Sequence, residues 1–276
     1  MLPELISAKE LTQKYQGLLF DAFGVLIHGF GGIPSAIDYI DELNRTKFPY
    51  WIVSNGSCFS TEETARSYQK RGLNISADKV ITSGFLAGKW LQQNGFQECR
   101  IKVLGPESSH FMAKEVNARI VDGPDYDVLV IGNQSGFPFL ESIDQVITEL
   151  FQLGDKGQFP TLLLPNPDLI YPGAKGTFGM TSGMIALMIE AALEVRYGQQ
   201  APKFIKLGKP YTPIFEEAQE RASGLKVAMI GDQLITDIKG ANDAGIDSIL
   251  IGTGISKLDD EAQFESICPT WRMVSF

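Results

Sequence analysis

The chain has 276 residues, of which 44% are hydrophobic and 21% are charged, proportions that suit one large globular domain or two smaller ones. Its net charge of −9 argues against nucleic acid and acidic membranes as partners, because both select basic surfaces. The three cysteines lack metal-ligand spacing and indicate free thiols in a reducing compartment. Because no signal peptide is visible either, we expect a cytoplasmic protein.

Short apolar runs alternate with segments of helical periodicity, which predicts βαβ units around a parallel sheet. A strand at 18–20 is followed by a helix at 34–43 that Pro34 opens, by a strand at 50–54 and by a helix from Thr61. Further strands are expected at 101–104, 128–131, 161–164, 227–230 and 248–251. Further helices are expected at 138–150, 182–195, 213–222 and 236–244.

These elements predict an α/β protein of two domains. Residues 1–82 and 204–276 together form a Rossmann-like core with a parallel sheet, so the core is discontinuous in the chain. Residues 83–203 have their own alternation of strands and helices, and we expect them to form a small inserted α/β domain.

Two of the predicted core strands end in a carboxylate, Asp21 after the first and Asp232 after the strand at 227–230. Burying a charge is costly unless it is paired or bound to a metal. The carboxyl ends of parallel strands meet at one sheet edge, so the two carboxylates can hold Mg²⁺ between them. Lys209 can keep Asp21 ionised for nucleophilic attack, and Asp237 can orient Lys209 or the waters of the metal.

A second group of polar residues lies in predicted turns. The Ser54 hydroxyl and the backbone N–H groups of Asn55 and Gly56 can hold phosphoryl oxygens, although Asn-Gly is also a common turn pair. Asn166 and Asp168 can form a substrate loop or an Asx-type turn among prolines. The simpler alternatives are a turn cap for Asp21, a helix N-cap for Asp232 and a solvated surface position for Lys209. For Asp237 the alternative is an acid in the first turn of a helix, where the helix dipole favours it.

In their order and spacing, Asp21, Ser54, Lys209 and Asp232 with Asp237 resemble the four motifs of the haloacid dehalogenase superfamily over most of the chain. Runs at 24–28, 33–34, 166–168, 171–172 and 231–237 resemble its class IIA branch, the sugar-phosphatase, nitrophenylphosphatase and pyridoxal-phosphatase-like proteins. The resemblance implies a Rossmann-like core with an inserted α/β cap of the C2 type. It also implies Mg²⁺-dependent hydrolysis of a small phosphorylated metabolite through a phosphorylated Asp21, and pairing of two copies through the cap.

Phe23 departs from this resemblance, because phosphatases of the superfamily usually carry an acid–base Asp two residues after the nucleophile. A phenyl ring cannot transfer a proton, so we expect a weak or narrow phosphatase. The metal site is less affected, since the resemblance implies that this residue binds Mg²⁺ through its backbone carbonyl. Two alternatives stay open: a dehalogenase-like hydrolase whose leaving group needs no proton, and a non-catalytic protein that binds a phosphorylated metabolite.

Overall fold

The computed structural model describes residues 2–29, 31–172, 177–259 and 266–276. Its strands, in chain order, are β1 (Gly17–Phe20), β2 (Ile27–His28), β3 (Gly31–Gly32), β4 (Tyr50–Ser54), β5 (Val80–Thr82), β6 (Arg100–Leu104), β7 (Arg119–Ile120), β8 (Val128–Ile131), β9 (Thr161–Leu164), β10 (Ile170–Pro172), β11 (Phe178–Met180), β12 (Ile205–Lys206), β13 (Val227–Gly231), β14 (Asp247–Ile251) and β15 (Trp271–Met273).

The α-helices are α1 (Ala8–Lys14), α2 (Pro34–Thr46), α3 (Thr61–Gln69), α4 (Ser83–Gln93), α5 (Phe111–Lys114), α6 (Phe139–Gly154), α7 (Ser182–Tyr197), α8 (Thr212–Ala222) and α9 (Lys239–Asp243). No helix in the described part of the chain has the length and hydropathy needed to cross a bilayer.

All predicted strands are confirmed to within a residue at each end, and the predicted helices are confirmed except one. The expected single α-helix at 236–244 is wrong. A π-helical turn over Leu234–Ile238 is followed by the short helix α9. Helix α4 was missed since Gly84 and Gly88 lower helix propensity. Both glycines allow close packing: an added Cβ would lie 2.9 Å from the Phe111 ring at position 84 and would collide with the Glu115 side chain at position 88.

The chain folds into two compact units, and each unit is made of segments that are separated in sequence. The first unit contains 1–54, 61–82 and 209–276, and the second contains 55–60 and 83–208. The division assigns 55–60 and 204–208 to the second unit, whereas the sequence placed both segments in the core.

The first unit is built on a sheet of parallel strands in the order β15-β14-β13-β1-β4-β5. Strand β1 is central, with Phe20 opposite Ile230 of β13 and Ile52 of β4. All four residues of β1 are buried, as expected for a strand covered on both faces. The register brings the carboxyl ends of β1, β4 and β13 to one edge of this sheet.

The second unit has its own parallel sheet, in the order β12-β9-β8-β6-β7, with α6 and α7 packed on its core residues. A buried ion pair joins Lys102 of β6 to Glu149 of α6, at 2.7 Å. The segment 55–60 is attached to this unit by hydrogen bonds. The Ser57 hydroxyl donates to the Gly132 carbonyl at 2.7 Å, and the Ser83 hydroxyl donates to the Asn55 carbonyl at 2.8 Å.

Candidate active site

Three buried carboxylates converge at the carboxyl edge of the first unit's sheet. Asp21 directly follows β1, Asp232 directly follows β13, and Asp237 lies in the π-helical turn after it. Each offers one oxygen, and these oxygens all lie within 4.8 Å of one another. Because β1 and β13 are neighbours in register, Asp21 and Asp232 are brought together by the sheet itself.

Lys209, just before α8, supplies positive charge to this cluster. Its Nζ lies 2.5 Å from Asp21 Oδ1 and 2.6 Å from Asp237 Oδ1, and its side chain is buried. The sequence predicted this lysine from the need to balance the charge of Asp21. Three carboxylates and one ammonium leave a formal charge of −2 when all four groups are ionised.

Both carboxylate oxygens of Asp237 accept a hydrogen bond. Its Oδ1 accepts from Lys209, and its Oδ2 accepts the backbone N–H of Gln233 at 3.1 Å. The carboxylate also packs against Gly231, where any Cβ would collide with the Asp237 side chain. The glycine before Asp232 is therefore required by the close approach of Asp237.

Asp232 is held by a backbone hydrogen bond on one oxygen, and its other oxygen has no hydrogen-bond partner among the residues that the structure describes. Oδ2 accepts the N–H of Ile255 at 2.9 Å, and the buried Oδ1 is the oxygen without a partner. Gly24 and Gly254 pack so closely on this carboxylate that a Cβ at either position would collide with it. A hard divalent cation fits these residues, since it prefers carboxylate oxygens and would satisfy both the orphaned Oδ1 and the charge of −2.

Two of these carboxylates have pKa values well above the ordinary value for aspartate. Burial raises the pKa of Asp21 to about 7, against the opposing effect of the Lys209 ammonium. Burial also raises the pKa of Asp232 to about 8, and the negative charges of Asp21 and Asp237 add to this effect. Burial alone would lower the pKa of Lys209, but its two carboxylate partners raise it above the ordinary value. The lysine is thus held charged.

Phe23 lies in the turn that leads from Asp21 to β2. Its side chain is 57% exposed, and its backbone forms an isolated bridge with Ile27. The Gly24 N–H donates to the Ile27 carbonyl at 2.9 Å, and the Thr253 hydroxyl donates to the Gly24 carbonyl at 2.5 Å. The hydrogen bonds of the turn therefore fix the backbone at residue 23, while the phenyl ring is largely exposed to solvent.

Ser54 ends β4, the strand on the other side of β1 from β13. Tyr68 of α3 forms a side-chain hydrogen bond with Ser54, and burial raises the pKa of the Tyr68 hydroxyl. Tyr68 was not predicted, since an aromatic residue at helical spacing indicates packing and carries no motif. The contribution of Thr253, Gly254 and Ile255 was not predicted either, although the glycine-rich turn after β14 was an available signal.

Two segments of the chain match models of known protein families. Residues 18–119 match the haloacid dehalogenase-like hydrolase family, and residues 206–275 match a HAD-hydrolase-like family. The chain thus has haloacid dehalogenase-like hydrolase domains.

Three relatives illustrate the similarity of this haloacid dehalogenase-like hydrolase to known proteins. An acid sugar phosphatase of Staphylococcus aureus is 27% identical over 94% of each chain. A crystal structure described as a possible sugar phosphatase from Cytophaga hutchinsonii is 29% identical, has a TM-score of 0.83 and covers 99% of this chain and 98% of its own. A 4-nitrophenylphosphatase from Thermotoga maritima shares the fold at 22% identity, with a TM-score of 0.80 over 96% of each chain.

The remaining predicted site residues of this haloacid dehalogenase-like hydrolase lie in the second unit. Asn55 Nδ2 donates to Asp168 Oδ1 at 2.8 Å, a contact between residues 113 positions apart that no sequence pattern indicated. The Asp168 N–H donates to Asn166 Oδ1 at 2.9 Å, which is the Asx-type turn considered as the simpler alternative. Gly56 accepts the backbone N–H of Gly84 at 3.2 Å. Roles of these four residues in binding substrate stay predictions.

Proposed function

We propose that the chain is a Mg²⁺-dependent phosphatase that hydrolyses a small phosphorylated metabolite, such as a sugar phosphate, through a phosphorylated Asp21. The observation that carries the proposal is the cluster in which Lys209 pairs with Asp21 and Asp237 while an oxygen of Asp232 has no hydrogen-bond partner in the described part of the chain. A dianionic phosphate group requires positive charge near the phosphorus that is attacked. Because the cluster itself has a formal charge of −2, it can provide positive charge only when a cation is bound.

Asp21 is the nucleophile of the proposed reaction. Its carboxylate oxygen forms a bond to phosphorus as the bond from phosphorus to the leaving oxygen breaks. Lys209 holds the Asp21 carboxylate in place and compensates its charge, and Asp237 holds Lys209 in turn. Water then attacks the phosphorus of the aspartyl phosphate, which releases inorganic phosphate and restores Asp21. The Ser54 hydroxyl, with the N–H groups of Asn55 and Gly56, is proposed to bind the phosphoryl oxygens.

Asp21, Asp232 and the backbone carbonyl of Phe23 are the groups that would hold Mg²⁺. When bound, the ion neutralises charge on the phosphoryl oxygens. The acidic cluster favours this proposal over the dehalogenase-like alternative, because the carboxylates around Asp21 can hold a cation for a phosphoryl group, whereas displacement of a halide from carbon by Asp21 requires no metal ion.

The test is phosphate release from a panel of small phosphomonoesters, with and without Mg²⁺, by the wild type and by Asp21→Asn. We expect slow, Mg²⁺-dependent release by the wild type and no measurable release by Asp21→Asn, which removes the nucleophile but preserves its shape. Unchanged release in Asp21→Asn would overturn the nucleophile assignment. Metal-independent turnover of a haloacid would favour the dehalogenase-like alternative, and thermal stabilisation by phosphoesters without turnover would favour a binding protein.

A further inference from the structure

We infer that Arg272 of β15 is a positioning residue for the proposed metal site, because it anchors the loop at 252–259 that holds Asp232. The inference rests on the proposed function and adds to it a side chain outside the carboxylate cluster. Two sets of hydrogen bonds in the first unit support it, one from this loop to Asp232 and one from Arg272 to the end of the loop.

The 252–259 loop, which follows β14, is bonded to both the side chain and the backbone of Asp232. The Ile255 N–H donates to Asp232 Oδ2 at 2.9 Å, and the Ser256 N–H donates to the Asp232 carbonyl at 3.0 Å. The Ser256 hydroxyl also accepts the N–H of Leu234, two residues after Asp232, at 3.2 Å. The position of the Asp232 carboxylate is therefore set by the position of this loop.

Burial does not hold the middle of the 252–259 loop in place. Thr253, Gly254 and Ile255 are all exposed, and the side chain of Ile255 is exposed even though its N–H bonds to a buried carboxylate. A segment with few buried apolar contacts opens at a low cost in free energy unless other contacts restrain it. The restraint on this loop must therefore come from the way its two ends are attached.

Both ends of the 252–259 loop are attached to neighbouring residues of β15. At the first end, the Gly252 N–H donates to the Met273 carbonyl at 2.9 Å. At the other end, Arg272 Nη1 donates to the Leu258 carbonyl at 2.7 Å, and the Leu258 side chain packs on a small apolar cluster. Removal of the Arg272 guanidinium would take the hydrogen bond from this second end and leave the Leu258 carbonyl without that donor.

Arg272 is itself held firmly enough to serve as an anchor. Its backbone N–H donates to the Glu4 carbonyl at 2.9 Å, and its carbonyl accepts the Ile6 N–H at 2.8 Å. Its Nε donates to the Pro3 carbonyl at 2.8 Å, and only 11% of its side chain is exposed. The planar guanidinium can make such bonds in two fixed directions at once. It thereby joins the N-terminal segment to the end of the loop.

Arg272 acts on the metal site through geometry and not through its charge. Its ion pair with Asp259, at 3.1 Å, involves a carboxylate that is 92% exposed, and such pairs contribute little. Loss of a positive charge would by itself strengthen the binding of Mg²⁺, because it removes a repulsion between cations. A weaker affinity for Mg²⁺ in an Arg272 variant would therefore report the loss of the anchor.

The test is titration calorimetry with Mg²⁺ on substrate-free wild type, Arg272→Met and Arg221→Met. Arg221 is the matched control, because it also donates to two backbone carbonyls, those of Asp78 and Val80 at 3.0 and 3.1 Å, and its replacement removes the same charge. We expect Arg272→Met to bind Mg²⁺ about 10–100-fold more weakly, the loss that follows removal of support from a metal ligand. We expect the affinity of Arg221→Met to equal that of the wild type.

Hydrogen exchange in chelator-treated protein is a second measurement, which requires neither metal nor turnover. The backbone amides of the 252–259 loop should exchange faster in Arg272→Met than in the wild type, because one end of the loop is released. In Arg221→Met they should exchange as in the wild type. Unchanged exchange of this loop in Arg272→Met would show that the guanidinium is not its anchor.

Arg272→Lys keeps the test decisive if Arg272→Met does not fold. Lysine preserves the charge but lacks the planar fork that reaches the Pro3 and Leu258 carbonyls together. We expect its affinity for Mg²⁺ to lie between those of the wild type and Arg272→Met. Wild-type affinity in every folded Arg272 variant, or an equal loss in Arg221→Met, would overturn the inference and leave the proposed function intact. A wild type that binds no Mg²⁺ would overturn both.

Discussion

The ammonium of Lys209 lies 2.5 Å from the carboxylate of Asp21, although 188 positions of the chain separate the two residues. Both side chains are buried, and Lys209 also contacts Asp237 at 2.6 Å. Taking such charges out of water costs several kcal/mol for each ion, and their attraction repays this only with good geometry. The pair is therefore better explained by the chemistry of Asp21 than by stability.

Replacement of Lys209 by methionine should impair both stability and activity. It would leave the Asp21 and Asp237 carboxylates buried without their cation, which typically costs about 3–5 kcal/mol. Chemical denaturation measures the loss. The control is Lys239→Met, which breaks an exposed pair with Asp243 on one helix face and should cost only about 0.3–0.5 kcal/mol. Equal losses in the two variants would show that the buried pair has no special energetic role.

The metal-free protein should lose stability as pH rises. Burial raises the pKa of Asp21 to about 7 and that of Asp232 to about 8, both above the value of about 4 expected in the unfolded chain. Between about pH 4 and pH 8 the folded state therefore binds more protons than the unfolded state, and its free energy of unfolding falls with increasing pH.

Asp232→Asn should remove part of this dependence. Both proteins are treated with a chelator. At pH 8 we expect the melting temperature of Asp232→Asn to exceed that of the wild type by a few degrees, since each kcal/mol of stability corresponds to about 2–4 °C. Near pH 4 we expect little difference between the two proteins. Mg²⁺ added at pH 8 should stabilise the wild type and not the variant. Parallel curves of melting temperature against pH for the two proteins would argue against a strained Asp232.

Gly254→Ala should weaken Mg²⁺ binding although it replaces none of the proposed ligands. The added Cβ would collide with the Asp232 carboxylate and displace it. Loss of such support for a metal ligand costs about 10–100-fold in metal affinity. Titration calorimetry with Mg²⁺ measures the change. Gly123→Ala serves as the control, because an added Cβ there has no neighbour within 4 Å. Equal affinities in the two variants would show that the Asp232 carboxylate can shift without consequence.

Helix α7 presents an apolar face on which we predict the pairing of two copies. Leu187, Met188 and Val195 follow helical spacing and are 42%, 44% and 91% exposed. We expect Val195→Glu to yield monomers in sedimentation velocity under conditions where the wild type is dimeric. Val274→Glu changes a valine of 64% exposure in the other unit and should leave the dimer unchanged. A monomeric wild type at high concentration would exclude this interface.

The buried strands and the charge-balanced cluster could be predicted from the sequence because their physical signals are local. Apolar runs such as Val128–Ile131 and Thr161–Leu164 stand between turn residues, and strand-end carboxylates require a compensating charge. Helix α1 had a signal that went unused, since Ser7 and Glu10 form a capping box.

Other contacts could not be predicted because no local pattern encodes them. The hydrogen bond from Asn55 to Asp168 joins loops that only the folding of the second unit brings together. The packing of Gly254 on Asp232 likewise depends on where the turn after β14 lies, which neither periodicity nor spacing determines. The charged residues of the cluster could thus be named from the sequence, whereas the backbone contacts that hold them could be seen only in the structure.

The assignment of 55–60 to the second unit sets a rule for building chimeras from this chain. An exchange of 83–208 alone with a homologue would bring in a foreign sheet for Ser57 and a foreign residue 83 for the Asn55 carbonyl, and both hydrogen bonds would depend on the donor sequence. The transplanted fragment should therefore be discontinuous and carry its own six-residue loop, spliced directly after Ser54.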